Sequence, residues 1–308
     1  MTLRSDTTKG RALGAAVSVR CAALLEGAVQ DMDVLAVMPA AVYLATRAPR
    51  AEVVALLAAD AVVHPAALVL AAPSASQPFA GLDRATAVRV GAGRLDIGEH
   101  EVRVGRWYDP VPRLGTAPAG GLAAAAAVLR EAGGCSGGEQ QRHRLSDLAH
   151  ALGADDTAGA IIAVDALLGS GPGLTPTGDD QLAGLLATLH LLRGGAALGL
   201  TEAAVRMHVR GRARARTTLL SAALLEHALD GAVAAPVARL LRTITSARAQ
   251  DEAAAVRMLD GAVAAVLAIG ATSGRDLLDG VTVALELVAT ERRVVSTAVS
   301  GASDGGAS

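Results

Sequence analysis

Lysine is almost absent from this sequence of 308 residues, whose 28 basic residues are 27 arginines and the single Lys9. Lys9 lies in a polar stretch close to the N-terminus, where a buried amine is not expected. Schiff-base enzymes, pyridoxal enzymes and nucleotide P-loops all depend on a positioned lysine amine. The sequence therefore offers no good candidate for these three classes.

Aromatic residues are nearly as scarce, since only Tyr43, Phe79, Trp107 and Tyr108 are present, and the net charge is -2. Proteins that bind single-stranded nucleic acids stack bases on aromatic side chains within a basic groove. The sequence provides neither feature, so we expect no nucleic-acid partner.

Cysteine and long apolar runs are also rare. Cys21 and Cys135 are too few for a disulfide framework or a structural zinc site, and they suit a reducing compartment. Apolar runs such as residues 262–269 stop well short of the roughly 20 residues that a membrane span needs. We therefore expect a cytoplasmic protein with no membrane partner.

The distribution of apolar residues predicts an α+β protein with two domains. Short apolar runs separated by proline and glycine predict a β-rich domain at residues 15–115, either a small barrel or a sandwich, with one helix at residues 51–59. Long segments with helical spacing predict a helical domain at residues 116–299 that carries the glycine-rich motifs. Clustered glycines predict a loop at about residues 133–144, and the small polar residues 300–308 predict a disordered tail.

The densest signal is a glycine-rich stretch at residues 168–180, Leu-Gly-Ser-Gly-Pro-Gly-Leu-Thr-Pro-Thr-Gly-Asp-Asp, ahead of an apolar segment with helical spacing. Glycine permits positive φ angles and lets a ligand approach the main chain closely. The start of a helix adds unbonded N–H groups and the positive end of the helix dipole. The stretch therefore predicts a binding site for a small anion.

A second stretch, residues 272–280, repeats this arrangement about one hundred residues later. The two stretches share the frame Ser/Thr-Gly-x-Asp-x-Leu-x-Gly, which pairs Thr177 with Ser273, Gly178 with Gly274, Asp180 with Asp276, Leu182 with Leu278 and Gly184 with Gly280. We expect the two turns to face one another across a single pocket.

A purely structural explanation is also open, because a hydroxyl followed three residues later by an acid resembles a capping box. Thr177 and Ser273 would then be helix N-caps, and the final glycine of each frame would allow close helix packing. Capping does not account for the glycines at residues 169–173 or for the additional Asp179. We therefore favour a functional interpretation of the two stretches together.

A third stretch, residues 210–221, combines alternating arginines with hydroxyl residues. An arginine guanidinium binds a carboxylate or phosphate through two parallel hydrogen bonds. Arg216 is the preferred anion ligand because it adjoins Thr217 and Thr218. Three other arginines are expected on a solvated face: Arg206, Arg210 and Arg212.

These residues together resemble the AllH-type subunit of oxamate carbamoyltransferase. The resemblance extends over roughly residues 34–289 and rests on the motif at residues 171–180, Arg216-Thr217-Thr218 with Ser221, the turn at residues 272–274 with Asp276, and Trp107 with Pro110. It implies a multi-subunit enzyme of purine-nitrogen (allantoin) catabolism that exchanges a carbamoyl group between oxalurate and phosphate, giving oxamate and carbamoyl phosphate. The expected partners are then a small anionic substrate and other carbamoyltransferase subunits.

The residues and the resemblance together predict a site in which backbone N–H groups stabilise the tetrahedral oxyanion of carbamoyl transfer. The predicted catalytic residues are Asp179, Asp180 and Asp276. Two roles remain open for Asp179 and Asp180. Either they orient an amide N–H of the substrate, or they hold a magnesium ion as a cofactor beside the phosphate. The predicted substrate-binding residues are Gly171, Gly173, Thr175, Thr177, Gly178, Arg216, Thr217, Thr218, Ser273 and Gly274.

Two other functions remain open at this stage. One is a non-catalytic anion-binding or scaffolding subunit whose partner chain carries the reacting groups, which the lack of an evident nucleophile favours. The other is a stand-alone ligand-binding regulator, although the sequence has no DNA-binding helix pattern and no basic stripe.

Overall fold

The computed structural model describes residues 12–48, 50–133, 139–194, 199–246 and 252–303. It divides the chain into two compact units, residues 1–110 and 111–308. The first unit consists mainly of strands and the second of helices, so the predicted α+β class is confirmed. Cys135 and residues 304–308 of the predicted tail lie outside the described residues, and residues 300–303 belong to the last helix.

The first unit contains a closed barrel of eight strands in the order β1-β5-β4-β3-β2-β6-β7-β8. The β1–β8 and β4–β5 pairs are parallel and the other pairs are antiparallel. A short helix, α1 (Ala22–Glu26), follows the first strand. The strands are β1 (Ala12–Ser18), β2 (Gln30–Met38), β3 (Ala41–Thr46), β4 (Val53–Leu57), β5 (Ala67–Leu70), β6 (Val88–Gly91), β7 (Arg94–Ile97) and β8 (His100–Tyr108).

Inward-facing aliphatic side chains fill the barrel, among them Val17, Leu44, Leu56, Leu95 and Val102. An eight-stranded barrel has an interior that such side chains can fill, and closure leaves no exposed sheet edge. The helix predicted at residues 51–59 is wrong. That segment contains β4, which is buried along its whole length and pairs with β3 on one side and β5 on the other.

The second unit contains nine helices within the described residues: α2 (Ala119–Gly133), α3 (Glu139–Gly153), α4 (Thr157–Leu167), α5 (Thr177–Arg193), α6 (Leu200–Arg216), α7 (Leu219–Leu229), α8 (Ala235–Ser246), α9 (Glu252–Leu267) and α10 (Ser273–Ser303). The loop predicted up to residue 144 is wrong from Glu139 onward. The residues from Glu139 to Arg144 form the polar start of α3, whose buried stripe of Leu145, Leu148 and Ala151 comes later. Residues 134–138 of that predicted loop lie outside the described residues. No helix within the described ranges is long and apolar enough to cross a membrane.

Helix α5 is the centre of the second unit, because every residue from Gly178 to Leu189 is buried. Its main partner is α10, and the two helices approach through the last glycine of each sequence frame. A Cβ atom at Gly184 would collide with the carbonyl oxygen of Leu277, and one at Gly280 would collide with the carbonyl oxygen of Gln181. Leu277 is the frame equivalent of Gln181, so the crossing of α5 and α10 has approximate twofold symmetry.

Candidate functional site

The glycine-rich turn connects the end of α4 to the start of α5. Gly169, Gly171 and Gly173 have φ angles of +75°, +117° and +96°, which side chains other than glycine rarely adopt. A Cβ atom at Gly169 would also collide with the carbonyl of Arg216, whereas one at Gly173 would meet open space. The turn is therefore fixed at its first glycine by close packing, and it is exposed from Gly171 to Leu174.

The helix starts do not have the capping-box geometry that the sequence left open. Helix α5 begins at Thr177, and its N-cap, Pro176, has no side-chain cap hydrogen bond. Ser273 is likewise the first residue of α10 rather than its cap. The acids of the frame are therefore not accounted for by capping, because Thr177 and Ser273 are themselves helical.

Gly178 and Gly274 permit the same close contact in the two halves of the site. A Cβ atom at Gly178 would collide with the carbonyl of Leu167 in the last turn of α4, and one at Gly274 would collide with the carbonyl of Val266 in the last turn of α9. Each half is thus a tight helix-turn-helix, α4 with α5 and α9 with α10.

The two turns are in direct contact, which confirms that they face one another, while a single pocket between them stays a prediction. The hydroxyl oxygens of Thr175 and Ser273 are hydrogen-bonded at 2.9 Å. One turn further along, the Gln181 amide donates to Asp279 Oδ2 at 3.4 Å. The N-terminal ends of α5 and α10 therefore lie side by side, and their dipoles favour negative charge between them.

The carboxylate of Asp179 is occupied by donors from its own chain. Oδ1 accepts from the Gly169 N–H at 2.7 Å, and Oδ2 accepts from the hydroxyls of Ser221, at 2.7 Å, and Thr217. The residue is only 1% exposed. The hydrogen bonds of Asp179 therefore connect the glycine-rich turn to the junction between α6 and α7.

Thr218 strengthens the same connection. Its hydroxyl donates to the carbonyl of Leu174 at 2.5 Å and accepts from the N–H of Ser221 at 3.1 Å, which caps α7. The hydroxyls of Thr217 and Thr218 were both predicted to bind substrate. In the structure both are engaged in holding the turn.

Asp180 has a different environment from its neighbour. It is 5% exposed, and its Oδ2 atom is buried with no hydrogen-bond partner within the described part of the chain. The pKa of its carboxyl is raised to about 7. Burial is the main cause, the hydroxyls of Ser273 and Thr175 act to lower the pKa, and the charges of Asp276 and Asp179 act to raise it. Asp276 is itself 1% exposed. The two frame acids thus share one buried polar region.

The backbone donors of the turn differ in availability. The Gly178 N–H already donates to the Ser170 carbonyl at 2.9 Å, so it is not open to a ligand in this structure. The residues Gly171 and Gly173 are exposed, and within the described ranges their N–H groups make no hydrogen bond. The groups available to bind an anion are therefore the N–H groups of Gly171 and Gly173 in the middle of the turn rather than that of Gly178 at its end.

Arg216 is exposed, and its Nη2 donates to the Asp165 carbonyl oxygen at 3.0 Å. Its own carbonyl packs against Gly169. The expectation of a solvated face holds for Arg210, which pairs with Asp230, and for the exposed Arg212. It is wrong for Arg206, whose side chain is only 12% exposed and donates to main-chain carbonyls of α5 and α7.

The residues do not fit a magnesium site formed by Asp179 and Asp180 together. Magnesium takes nearly octahedral oxygen ligands, but both oxygens of Asp179 already accept hydrogen bonds. Among the described side chains there is also no group of three or more His, Cys, Asp or Glu residues that could hold a metal ion. Of the two roles left open by the sequence, orienting an amide N–H fits Asp180 better.

Two residues of the site were given no role by the sequence analysis. Ser221, which was named only as part of the family resemblance, donates to Asp179, and its position three residues after the N-cap Thr218 is a signal that could have indicated this role. Gln141 donates to the hydroxyl of Ser170 at 2.6 Å. Gln141 lies in the segment predicted as a loop, so no local pattern pointed to it.

Residues 167–285 match the model of one protein family, described as oxamate carbamoyltransferase subunit AllH. The resemblance is thus confirmed over a segment that contains both turns and the α6–α7 junction. The match is shorter than the predicted range of 34–289 and does not include Trp107 or Pro110. No curated protein and no solved structure matches the chain.

Proposed function

Because the matched segment holds both turns, we propose that this chain is a subunit of a cytoplasmic carbamoyltransferase assembly in allantoin catabolism, with the other subunits as its partners. The proposed reaction moves the carbamoyl group of oxalurate to phosphate, giving oxamate and carbamoyl phosphate. The observation that carries this proposal is the exposed turn at residues 171–174, held beside the hydroxyl groups of Thr175 and Ser273.

The chemistry of the turn suits reactants of this kind. Oxalurate, oxamate and phosphate are all anions. Gly171 and Gly173 are exposed residues ahead of the start of α5, and their N–H groups make no hydrogen bond within the described residues. Backbone donors fixed in advance can stabilise a tetrahedral oxyanion by several kcal/mol. Arg216 remains the proposed ligand for a substrate carboxylate through those guanidinium N–H groups that do not bind Asp165.

The proposed reaction leaves the total charge unchanged. A phosphate oxygen attacks the carbamoyl carbon, the bond from that carbon to the oxamate nitrogen breaks, and the proton of hydrogen phosphate ends on that nitrogen. The chain therefore has to hold two anions together and neutralise the charge that develops between them. The paired N-terminal ends of α5 and α10 support this part of the proposal.

A second candidate function is a subunit that binds and orients the anion while a partner chain supplies the reacting groups. It is favoured by the engagement of Asp179, because both oxygens of its carboxylate already accept hydrogen bonds from Gly169, Thr217 and Ser221. No observation favours the third candidate, a stand-alone regulator.

The test is to co-purify the chain with the products of its neighbouring genes and to measure carbamoyl phosphate formed from oxalurate and phosphate. We expect activity in the assembly. If the complete assembly is inactive, the proposed reaction is wrong. In an active assembly, an Asp180→Asn variant that folds but loses orders of magnitude of kcat supports a catalytic chain, while near-normal kcat supports the orienting subunit.

A further inference from the structure

We propose that Asp180, with the hydroxyls of Thr175 and Ser273, is the specificity element that recognises the carboxamide end of the ligand. Asp180 accepts an N–H hydrogen bond from a carbamoyl or carboxamide group, and so selects such ligands over analogues of the same shape that lack an N–H. The inference rests on the proposed function for its class of ligand, small carboxylates that carry an amide.

The three groups come from both halves of the site. Thr175 lies at the end of the glycine-rich turn, Ser273 is the first residue of α10, and Asp180 lies in the first helical turn of α5. The two hydroxyls are in contact at 2.9 Å, and both lie close enough to the carboxyl of Asp180 to lower its pKa. Hydroxyls can donate to a ligand carbonyl, whereas an ionised carboxylate only accepts. This combination complements an amide, which has one acceptor and an N–H donor.

The unpaired oxygen of Asp180 indicates that a donor is missing. A buried polar atom without a partner costs about 1–3 kcal/mol, so native proteins seldom retain one. Oδ2 of Asp180 is such an atom. Its neighbour Asp179 has the same side chain on the same helix turn, yet its carboxylate accepts three hydrogen bonds. A ligand N–H at Oδ2 would remove this difference.

Because Oδ2 is buried, the proposal requires the glycine-rich turn to open when the ligand binds. Residues 171–174 of that turn are exposed, and an added Cβ at Gly173 would meet nothing within 4 Å. The ligand then places its carboxylate on the N–H groups of Gly171 and Gly173 and its amide between Thr175 and Ser273. The glycine-rich turn thereby binds the carboxylate, and the two halves of the site together bind the amide.

Oxamate and pyruvate provide a matched pair of probes. They carry the same charge and have nearly the same shape, but oxamate has an NH₂ group where pyruvate has a methyl group. A methyl group at Oδ2 leaves the carboxylate unpaired, and sites built to hydrogen-bond a group strongly reject analogues without it.

The experiment is calorimetric titration of oxamate and pyruvate into the full chain, alone and with its partner subunits. We expect wild type to bind oxamate about tenfold or more tightly than pyruvate, the ratio expected for one hydrogen bond to a charged group. Asp180→Asn should bind the two ligands similarly. Asp155→Asn is the matched control and should keep the preference, because Asp155 is exposed and asparagine tolerates its φ of +55°.

The outcomes distinguish the role of Asp180 from the anion site of the proposed function. Equal binding of both ligands by wild type, or an undiminished preference in folded Asp180→Asn, overturns the role of Asp180 while leaving the anion site in place. Asp180→Ser replaces Asp180→Asn if circular dichroism shows that the latter does not fold. If wild type binds neither ligand even with its partners, the anion site of the proposed function is wrong, and this inference is wrong with it.

Discussion

Asp179 and Asp180 are adjacent in the first helical turn of α5 but have different surroundings. The sequence predicted both as catalytic residues, with the same two roles open for each. Consecutive residues of a helix point about 100° apart, so Asp179 turns toward the α6–α7 junction while Asp180 turns toward α10. The residue types were thus predictable from the motif. Their separate roles were not, because these depend on contacts with residues far along the chain, Thr217 for Asp179 and Ser273 for Asp180.

The buried carboxyl of Asp180 predicts an unusual dependence of stability on pH. Its pKa is raised by burial from an ordinary 3.8 to about 7. The folded state therefore binds more protons than the unfolded state between these pH values, so this group destabilises the protein progressively as pH rises through that range. Asp180→Asn lacks this titration. Its stability relative to wild type should increase by a few kcal/mol between pH 5 and pH 8, measured by urea denaturation. An unchanged difference at the two pH values would show that the carboxyl is ionised throughout.

The hydroxyl that supports Asp179 gives a second prediction. Ser221→Ala removes a donor from a carboxylate that is 1% exposed, so the free energy of unfolding should fall by about 1–3 kcal/mol. Thr297→Ala is the control, since the exposed Thr297 hydroxyl bonds only to carbonyls of its own helix. Denaturation curves for both variants test this. If Ser221→Ala is no less stable than Thr297→Ala, Asp179 does not depend on this contact.

Among the secondary-structure elements, those with clear periodicity were predicted and the short or atypical ones were not. Apolar runs at residues 34–38, 41–45, 67–71, 87–90 and 102–104 overlap β2, β3, β5, β6 and β8, whereas the run at residues 61–63 lies in no strand. The run at residues 51–59 was misassigned because five apolar residues fit a buried strand as well as a helix turn. Strand β7 alternates Arg94 and Asp96 with buried residues over only four positions. Too little sequence was available there to detect a period.

The crossing of α5 and α10 gives a prediction that belongs to these elements. Gly184→Ala and Gly280→Ala each place a methyl group against a carbonyl oxygen of the other helix, and overpacking of this kind costs about 1–3 kcal/mol. Gly211→Ala in α6 is the matched control, because its Cβ would meet nothing within 4 Å. It should stabilise the chain by about 0.5–1 kcal/mol. Thermal denaturation compares the three variants, and a stable Gly184→Ala and Gly280→Ala pair would contradict the close crossing.

At the scale of the whole molecule, the repeated frame could be recognised in the sequence, but the packing of its two copies against each other could not be predicted. The frame predicted that Gly184 corresponds to Gly280 and that the two turns are alike. It did not reveal that the corresponding glycines contact each other's helices or that Thr175 bonds to Ser273. Such contacts depend on how the two helix-turn-helix halves pack, and no local pattern specifies that packing.

The most direct test of the central claim, that a small anion binds to the glycine-rich turn, is NMR titration of the isotope-labelled full chain with oxamate and with phosphate. We predict that the amide signals of Gly171 and Gly173 shift with either anion, because both residues are exposed and their N–H groups make no hydrogen bond within the described residues. The amides of Gly211 and Gly261, which lie within helices α6 and α9, should stay in place. Binding that shifts arginine side-chain signals and leaves Gly171 and Gly173 unchanged would contradict the account.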